Sequence, residues 1–257
     1  MPRNHKVLIN PEKCIGCGLC ASDCVASCIS IENGKAKAGE AGCIACGHCE
    51  AICPKAAVAL TGFEEECESF DAQTRLNPQE LMQAIKTRRS IRNFDEKEID
   101  KSIVDMIIEA GRLAPTGSNS QNTGFIVLDK SKAELESSAV KLFRGLTGIA
   151  KPFSKFLSRV EIDDNFFFKK APLVIVLTGN SVNASLAAEN MAFMAEASGL
   201  GVLFSGFFTV CANNVPKIKK ALGTGKKEKA VTTLVIGYPK VEYRRTAKRE
   251  KANIRIV

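Results

Sequence analysis

Eight of the eleven cysteines in this 257-residue chain lie in two copies of one spacing, which is the strongest constraint on its fold. Each copy reads C-x2-C-x2-C-x3-C, and together they comprise Cys14, Cys17, Cys20, Cys24, Cys43, Cys46, Cys49 and Cys53. Three thiolates spaced in this way wrap one cubane cluster, whereas the fourth begins a helical turn that carries it to a neighbouring cluster. The spacing therefore predicts two 4Fe-4S clusters with crossed ligand sets: Cys14, Cys17, Cys20 and Cys53 for one, and Cys43, Cys46, Cys49 and Cys24 for the other.

Structural zinc is the alternative interpretation of such a cysteine cluster. Zinc sites, however, pair C-x2-4-C units across a longer finger and close at four ligands, so this dense run suits iron and sulfide better. The segment resembles the two-cluster bacterial ferredoxins, including the Cys53-Pro54 pair after the last ligand, although Val25 follows Cys24 where those proteins usually have proline. The resemblance implies a small ferredoxin-like domain, which we place at residues 1–65.

The remaining cysteines and His48 give weaker signals. Cys28 lies where such ferredoxins commonly carry a small apolar residue, so we expect it to be buried packing rather than a ligand. Cys67 and Cys211 have no partner spacing and are expected to be ordinary thiols. His48, between Cys46 and Cys49, either faces solvent or tunes a cluster by hydrogen bonding, and the first interpretation is favoured.

Composition excludes several function classes. The chain is 45% hydrophobic and 25% charged, as in ordinary globular proteins. It shows neither a signal peptide nor an apolar run near the roughly 18 residues that span a membrane, so we expect a cytoplasmic protein. Much of the net charge of +8 gathers in Lys240–Lys251. No nucleic-acid recognition motif accompanies these cations, which favours a solvated face or an anionic cofactor.

Local patterns predict the elements of the first domain. Strands are expected at Lys6–Ile9 and Val58–Leu60, with a hairpin over Ser30–Lys37 around Asn33-Gly34, a dipeptide suited to a type I′ turn. Residues 66–77, part of an acidic stretch without periodicity, are assigned as a linker.

The second domain is predicted to begin with two helices. Asn77 caps a helix that starts at Pro78 and runs to about Thr87, and Asp100 caps another that ends before Ala114. Lys130–Lys170 is expected to be mostly helical. Two buried strands, a helix and a last strand complete the pattern: Phe125–Leu128, Leu173–Thr178, Ala184–Ser198 and Val231–Gly237.

Between the first two helices lies a dense basic segment, in which Arg88, Arg89, Ser90 and Arg92 crowd five positions. Like charges so close together repel one another unless an anion lies among them. Three further motifs follow in order: Ala114–Gln121, the glycine-rich stretch from Gly199 to Gly206, and Gly237-Tyr-Pro239 followed by Arg249. Residues 78–257 thereby resemble the nitroreductase family of FMN enzymes, and the whole chain resembles its ferredoxin-fused members.

The resemblance implies an α+β chain in which a small ferredoxin-like domain precedes a nitroreductase-like α/β sandwich domain, placed at residues 78–257. In the family, the basic segment holds FMN, the loop at Pro115 reaches the flavin of the neighbouring subunit, and a basic C-terminal position lies near the phosphate. The implied FMN contacts are Arg88, Arg89, Ser90, Arg92, Pro115, Thr116, Gly117, Asn119, Gly206 in a Ser205-Gly206-Phe207 turn, Lys248 and Arg249. No catalytic side chain is assigned, because the flavin ring supplies the reactive atom.

The family resemblance also implies a function. Electrons from a ferredoxin or another low-potential donor would pass through the clusters to FMN and on to an organic acceptor, such as a nitroaromatic, a quinone or an activated alkene. The alternative is an electron-transfer module in which FMN relays electrons to a protein partner. The family loops further imply a homodimer. Because Asn122-Thr123 replaces the Pro-Trp that often follows Gln121 in the family, no substrate preference is carried over.

Overall fold

The computed structural model describes residues 4–39, 42–70, 75–150, 159–225 and 228–257. The chain divides into two compact units. The first comprises Met1–Arg75 together with Gly117–Ser120, and the second comprises Leu76–Thr116 and Gln121–Val257. The predicted linker and the predicted helical region Lys130–Lys170 lie partly outside the described residues.

The first unit contains two small antiparallel ribbons and two one-turn helices. Strand β1 (Val7–Ile9) pairs with β4 (Val58–Leu60), and β2 (Ile29–Glu32) pairs with β3 (Lys35–Ala38). The predicted hairpin turn is present, with φ of 49° at Asn33 and 73° at Gly34, as a type I′ turn requires. The helices are α1 (Leu19–Ser22) and α2 (His48–Ala51).

The internal repeat of the sequence is also a repeat of backbone conformation. Each short helix follows a glycine in the left-handed region, with φ of 79° at Gly18 and 75° at Gly47. Each glycine follows the second cysteine of its motif, so the chain turns sharply there and the helix carries the third cysteine. The buried core is small and centres on Cys20, Ile29 and Val58.

The second unit is built on one antiparallel sheet in the order β5-β6-β8-β7. Its strands are β5 (Gly124–Val127), β6 (Leu173–Thr178), β7 (Gly201–Phe204) and β8 (Ala230–Gly237). Its helices are α3 (Pro78–Thr87), α4 (Lys101–Arg112), α5 (Lys132–Ala150), α6 (Ser181–Ala197), α7 (Gly206–Asn214) and α8 (Pro216–Ala221). None of the helices in the described residues combines the length and apolar character that a bilayer crossing needs.

Helices cover both faces of this sheet. Strand β6 is buried at all six positions and alternates between two hydrophobic cores. Ile175 and Leu177 enter a core that α4 and α6 share, whereas Val174 and Val176 enter a core with residues of α5, α7 and α8. The helices α4 and α6 approach closely, because a Cβ at Gly111 would lie only 2.8 Å from the side chain of Met191.

Helix caps agree only in part with the sequence expectations. The Asn77 side chain accepts hydrogen bonds from the backbone N–H groups of Gln79 and Glu80, as predicted for α3. Asp100 occupies the N-cap position of α4 but makes no side-chain capping bond. Helix α6 begins at Ser181, before the predicted Ala184, because Asn180 caps it.

Two other sequence expectations about the second unit are wrong. Strand β5 lies at the edge of the sheet and is only partly buried, with Val127 exposed, whereas a continuous apolar run predicts a fully buried strand. Gly206 does not lie in a turn but is the first residue of α7. The elements β7, α7 and α8 have no counterpart among the predicted ones.

Candidate functional site

The eight motif cysteines line two separate cavities of the first unit. Cys14, Cys17, Cys20 and Cys53 line one, hereafter the first cavity. Cys24, Cys43, Cys46 and Cys49 line the other, hereafter the second cavity. The last cysteine of each motif therefore faces the cavity of the opposite motif, which is the grouping that the spacing predicts.

Backbone N–H groups point at the sulfur atoms around these cavities. Four of these N–H···S contacts are 3.2–3.4 Å long: Ala36 to Cys14, Cys28 to Cys24, Ala45 to Cys43, and Ala57 to Cys53. For Cys14, the N–H groups of Ala36 and Gly16 and the charge of Lys35 lower the thiol pKa against the effect of burial. Such donors stabilise thiolate sulfur, which is the form that binds iron, whereas burial raises the pKa of Cys20 and raises that of Cys49 to about 11. The fit of both cavities to a cluster therefore rests on the grouping of the cysteines and on these N–H donors.

Cys28, Cys67, Cys211 and His48 lie outside the two predicted ligand sets. Cys28 is buried and lines the second cavity together with the four motif cysteines, and burial raises its pKa. Cys211 is buried in the second unit, and burial raises its pKa to about 11, whereas Cys67 is exposed. His48 lies 3.0 Å from a carboxylate oxygen of Asp23, and its side chain is 61% exposed, as the solvent-facing interpretation expects.

The basic segment in the second unit is held against the edge strand β7. The N–H of Ile91 donates to the carbonyl of Val202, and Ser90 forms a parallel bridge with the same residue. The Ile91 side chain is buried above Gly201, where a Cβ would lie 2.3 Å from its Cγ1. This packing presents Ser90 and Arg92 to solvent from a fixed backbone.

Arg88 is held by a carboxylate that sequence analysis missed. Its guanidinium donates to Oε1 of Glu189 on α6 at 2.7 Å and lies 5.4 Å above the ring of Phe193. Glu196 lies seven residues after Glu189 on α6. Burial raises the pKa of Glu196, and the charge of Arg88 opposes that rise. Two glutamates seven residues apart share a helix face, and this spacing was the available signal.

Arg89 connects the basic segment to the C-terminal segment. Its guanidinium donates to the backbone carbonyl of Arg245 at 3.0 Å and lies 5.9 Å from the ring centre of Tyr243. Lys248 and Arg249 follow shortly after this attachment and are exposed. Within the described ranges, Arg92, Lys248 and Arg249 form no ion pair. Their positive charges therefore remain available to an anion such as a phosphate.

The loop after α4 is divided between the two units. Pro115 and Thr116 belong to the second, and the Thr116 hydroxyl accepts a hydrogen bond from the N–H of Gln121. Gly117–Ser120 belongs to the first, in which Asn119 Nδ2 donates to the carbonyl of Ala45 at 2.6 Å and to that of Ile44 at 3.2 Å.

The departure from the family pattern after Gln121 also has a structural role. The Asn122 side-chain oxygen accepts a hydrogen bond of 3.0 Å from Asn183 near the start of α6. Asn122 therefore anchors the chain just before β5 begins. A polar anchor occupies the position at which the family often has proline.

A buried series of hydrogen bonds positions the N-terminus of α7. Glu136 on α5 accepts hydrogen bonds from the N–H groups of Phe167 and Phe168 at 3.0 and 2.7 Å. The carbonyl of Phe167 accepts a hydrogen bond from the hydroxyl of Ser205, the residue before Gly206. A Cβ at Gly206 would meet no protein atom within 4 Å, so the space beside this helix start is open to a ligand.

Two family models match the chain. A model described as a 4Fe-4S dicluster domain matches residues 6–54. A model described as the Nitroreductase family matches residues 85–238.

Two similar proteins are each provisionally named NADH dehydrogenase/NAD(P)H nitroreductase. The one from Methanothermobacter thermautotrophicus is 22% identical over 175 residues, covering 64% of this chain and 80% of that protein. The one from Archaeoglobus fulgidus is 24% identical over 165 residues, covering 64% of this chain and 88% of that protein.

Solved structures share the fold. An FMN-dependent nitroreductase from Clostridium difficile matches with a TM-score of 0.55 at 18% identity, over 70% of this chain and 100% of that one. A nitroreductase with bound FMN from Bacteroides fragilis matches with a TM-score of 0.52 at 22% identity, over 69% of this chain and 98% of that one. At these identities the likeness is one of fold.

Glu136 predicts a pH dependence of stability. Burial raises its pKa, although the N–H groups of Phe167 and Phe168 act against that rise. A carboxyl with a raised folded-state pKa contributes stability that is complete below its unfolded pKa and is lost as pH rises through the folded pKa. Glu136→Gln keeps an acceptor oxygen and removes the ionisation, so the free energy of unfolding should fall less steeply over this window.

Denaturant titrations across mildly acidic to neutral pH measure this effect. Glu134→Gln is the control for loss of an exposed carboxylate on the same helix, where Glu134 pairs with Lys217 at the surface. Glu136→Ala, which leaves both N–H groups without their acceptor, should cost about 1–3 kcal/mol at every pH. An unaltered pH profile in Glu136→Gln would contradict the assignment.

Proposed function

The chain belongs to the nitroreductase family and carries a 4Fe-4S dicluster domain, and from this premise we propose that it is an iron–sulfur flavoprotein oxidoreductase. It passes electrons from two 4Fe-4S clusters to FMN and then to an organic acceptor. The fold class expected from the sequence, a ferredoxin-like domain followed by a nitroreductase-like domain, is confirmed.

One contact carries this proposal. Asn119 is expected to approach the flavin, and its amide donates to the backbone carbonyls of Ile44 and Ala45 in the loop between Cys43 and Cys46. The N–H of Ala45 in turn points at the Cys43 sulfur. A continuous chain of hydrogen bonds thus joins a cluster ligand to a residue of the expected flavin loop.

The chain's own residues divide the work of holding cofactors. The eight motif cysteines bind the clusters in the two crossed sets described above. Arg88, Arg89, Ser90 and Arg92 orient FMN from one side, Gly206 leaves room for its ring, and Lys248 with Arg249 neutralises its phosphate. When bound, FMN stores two electrons and supplies a hydride equivalent, whereas clusters carry electrons singly.

The clusters favour a one-electron donor over a nicotinamide. NADH or NADPH delivers a hydride directly to a flavin, so an enzyme that uses only a nicotinamide needs no iron–sulfur chain. A ferredoxin or a similar low-potential protein delivers single electrons and does need one. We therefore propose a ferredoxin-like donor, with a nitroaromatic, a quinone or an activated alkene as the acceptor class.

The FMN assignment is tested most cleanly at Arg249, because Arg88→Ala would also break the ion pair with Glu189. Arg249→Ala should weaken FMN binding by about 1.5–3 kcal/mol, the range for a charge-assisted hydrogen bond, and should leave riboflavin binding nearly unchanged. Fluorescence titration of the flavin-depleted protein measures both affinities. Lys251→Ala is the control, and equal losses for FMN and riboflavin would place Arg249 away from the phosphate.

The electron route is tested at Cys46, which lines the second cavity. Cys46→Ser should remove or alter the cluster held there, while the second unit, with its own two cores, should keep its FMN. Acceptor reduction driven by a reduced ferredoxin should fall strongly, whereas reduction by a small chemical reductant that reaches the flavin directly should persist. Ferredoxin-driven turnover of Cys46→Ser at the wild-type rate would contradict the proposed route.

We also propose a homodimer, which the family loops imply. Helix α3 has an apolar face but no buried residue, and Leu81, Met82 and Ile85 on it are exposed. Beside it, a groove of the second unit is lined by residues of α3, α4 and α6 and by Leu113 just after α4. Its lining is mixed, with the apolar Phe193 near the charged Glu80 and Glu196. A second copy of the chain would cover this face and bring its Pro115 loop to the shared flavin.

Two equally exposed leucines provide a matched test of the dimer. Leu81 on α3 is 38% exposed and Leu142 on α5 is 39% exposed. Leu81→Glu should shift the protein to a monomer in analytical ultracentrifugation and release FMN, because a charge cannot be buried unpaired in the interface. Leu142→Glu should remain dimeric, and a Leu81→Glu monomer that retains stoichiometric FMN would contradict the shared site.

A further inference from the structure

Lysines surround the first cavity of the ferredoxin-like unit. Lys55 lines that cavity, Lys13 precedes Cys14, and the ammonium of Lys35 donates to the backbone carbonyl of Cys14. Lys13 and Lys55 are exposed, and in the described part of the chain neither forms an ion pair. With Glu12 as the neighbouring carboxylate, these four side chains carry a net charge of +2, from three lysines and one glutamate.

An apolar patch lies among these charges. Ile15 is 59% exposed and Leu19 is 42% exposed, Cys17 is exposed between them in the sequence, and Pro54, which follows Cys53, is exposed as well. Ile15, Cys17 and Pro54 all line the first cavity. An apolar centre with a charged rim is the usual arrangement of a protein docking surface.

The second cavity differs in the charge of its lining and in a contact at its rim, although Val25 on its lining is 84% exposed. No lysine is among the residues that line it, and its one histidine, His48, is paired with Asp23. Part of its rim is already taken, because Asn119 occupies the carbonyls of Ile44 and Ala45. The two cavities therefore differ: Lys55 lines the first and Lys35 contacts the backbone of Cys14 there, whereas no lysine lines the second, whose rim contacts the chain's own Asn119.

We propose that the basic surface formed by Lys13, Lys35 and Lys55 around Ile15 docks an acidic electron-donor protein, so that electrons enter at the first cavity and leave at the second. This inference rests on the proposed function and adds the entry point and the charge of the donor. Each encounter oxidises one donor by one electron and reduces the cluster of the first cavity by one. Two encounters supply the electron pair that an organic acceptor takes up with two protons from solvent.

The strand pairing supplies a matched control. In the ribbon of β1 and β4, Val58 lines the first cavity, whereas Val7 and Leu60 line the second. Lys6, which is exposed and precedes Val7, therefore lies at the opposite end of the unit. Lys6→Glu makes the same charge change as Lys13→Glu or Lys55→Glu but away from the proposed surface.

The test measures binding of the intact holoprotein to an acidic two-cluster bacterial ferredoxin by isothermal titration calorimetry and stopped-flow association. The double variant Lys13→Glu/Lys55→Glu should bind at least roughly tenfold more weakly at low salt, mainly through a slower association rate. The difference should shrink towards 1 M salt, where the Debye length is only about 3 Å. Lys6→Glu should bind like the wild type.

Each outcome decides the inference. Weakening by Lys6→Glu equal to that by Lys13→Glu or Lys55→Glu alone, each of which changes the charge by the same amount, would show that only net charge matters and would overturn a defined surface. Unchanged binding of the double variant would overturn it as well. Tight binding of cytochrome c, a basic electron carrier, by the wild type would overturn the assigned charge of the donor. Reduction of the double variant by dithionite at the wild-type rate shows that its clusters are intact, whereas a wild type whose clusters never pass electrons to flavin refutes the proposed function itself.

Discussion

The proposed bonds between iron and the crossed cysteines are the interaction on which the first unit depends. Its buried core outside the motif is little more than Ile29 and Val58, which is too small to offset the entropy of ordering the chain. Because Cys24 and Cys53 each face the cavity of the opposite motif, ligation links the two halves of the unit. In the proposed ligation, metal binding and folding form one equilibrium, and the fold that would hold the clusters also sets the spacing of their ligands.

The second unit has the opposite character, because it is stable through apolar packing and uses its polar groups to position loops. Strand β6 divides two cores, and the basic segment is fixed at the edge of the sheet by Ile91 and Phe94, both buried. This rigidity matters for function. Arg88 and Arg92 repel one another, so they can face the same anion only if buried neighbours hold their backbone in place. The Glu189 carboxylate neutralises part of that charge through its ion pair with Arg88.

Local signals in the sequence predicted much of this architecture. The two cysteine motifs, the Asn33-Gly34 turn and the Asn77-Pro78 helix start each depend on interactions within a few residues, so they can be recognised without the fold. Strand β7 and helix α7 were missed because the stretch from Gly199 to Gly206 was interpreted only as a glycine-rich family motif, with Gly206 in a turn. In the structure, Gly201 is required by the buried Ile91 and Gly206 begins a helix.

The rest of the candidate site depends on contacts between residues far apart in the chain. Glu189 lies 101 residues after its partner Arg88, and Asn119 lies 74 residues after Ala45. No local pattern encodes such pairs, so sequence analysis identified Arg88 and Asn119 by family resemblance but not the groups that hold them. The FMN contacts themselves remain predictions, for which Arg92, Lys248 and Arg249 offer cations without a carboxylate partner in the described residues.

The central claim is that electrons reach the flavin through the clusters of the first unit. Anaerobic stopped-flow spectroscopy of the oxidised wild-type holoprotein, mixed with reduced ferredoxin and no acceptor, tests it most directly. The account predicts that cluster absorbance bleaches first and that flavin absorbance falls later, at a rate independent of ferredoxin concentration once the clusters are reduced. Flavin bleaching that precedes cluster reduction, at a rate proportional to ferredoxin concentration, would contradict the account.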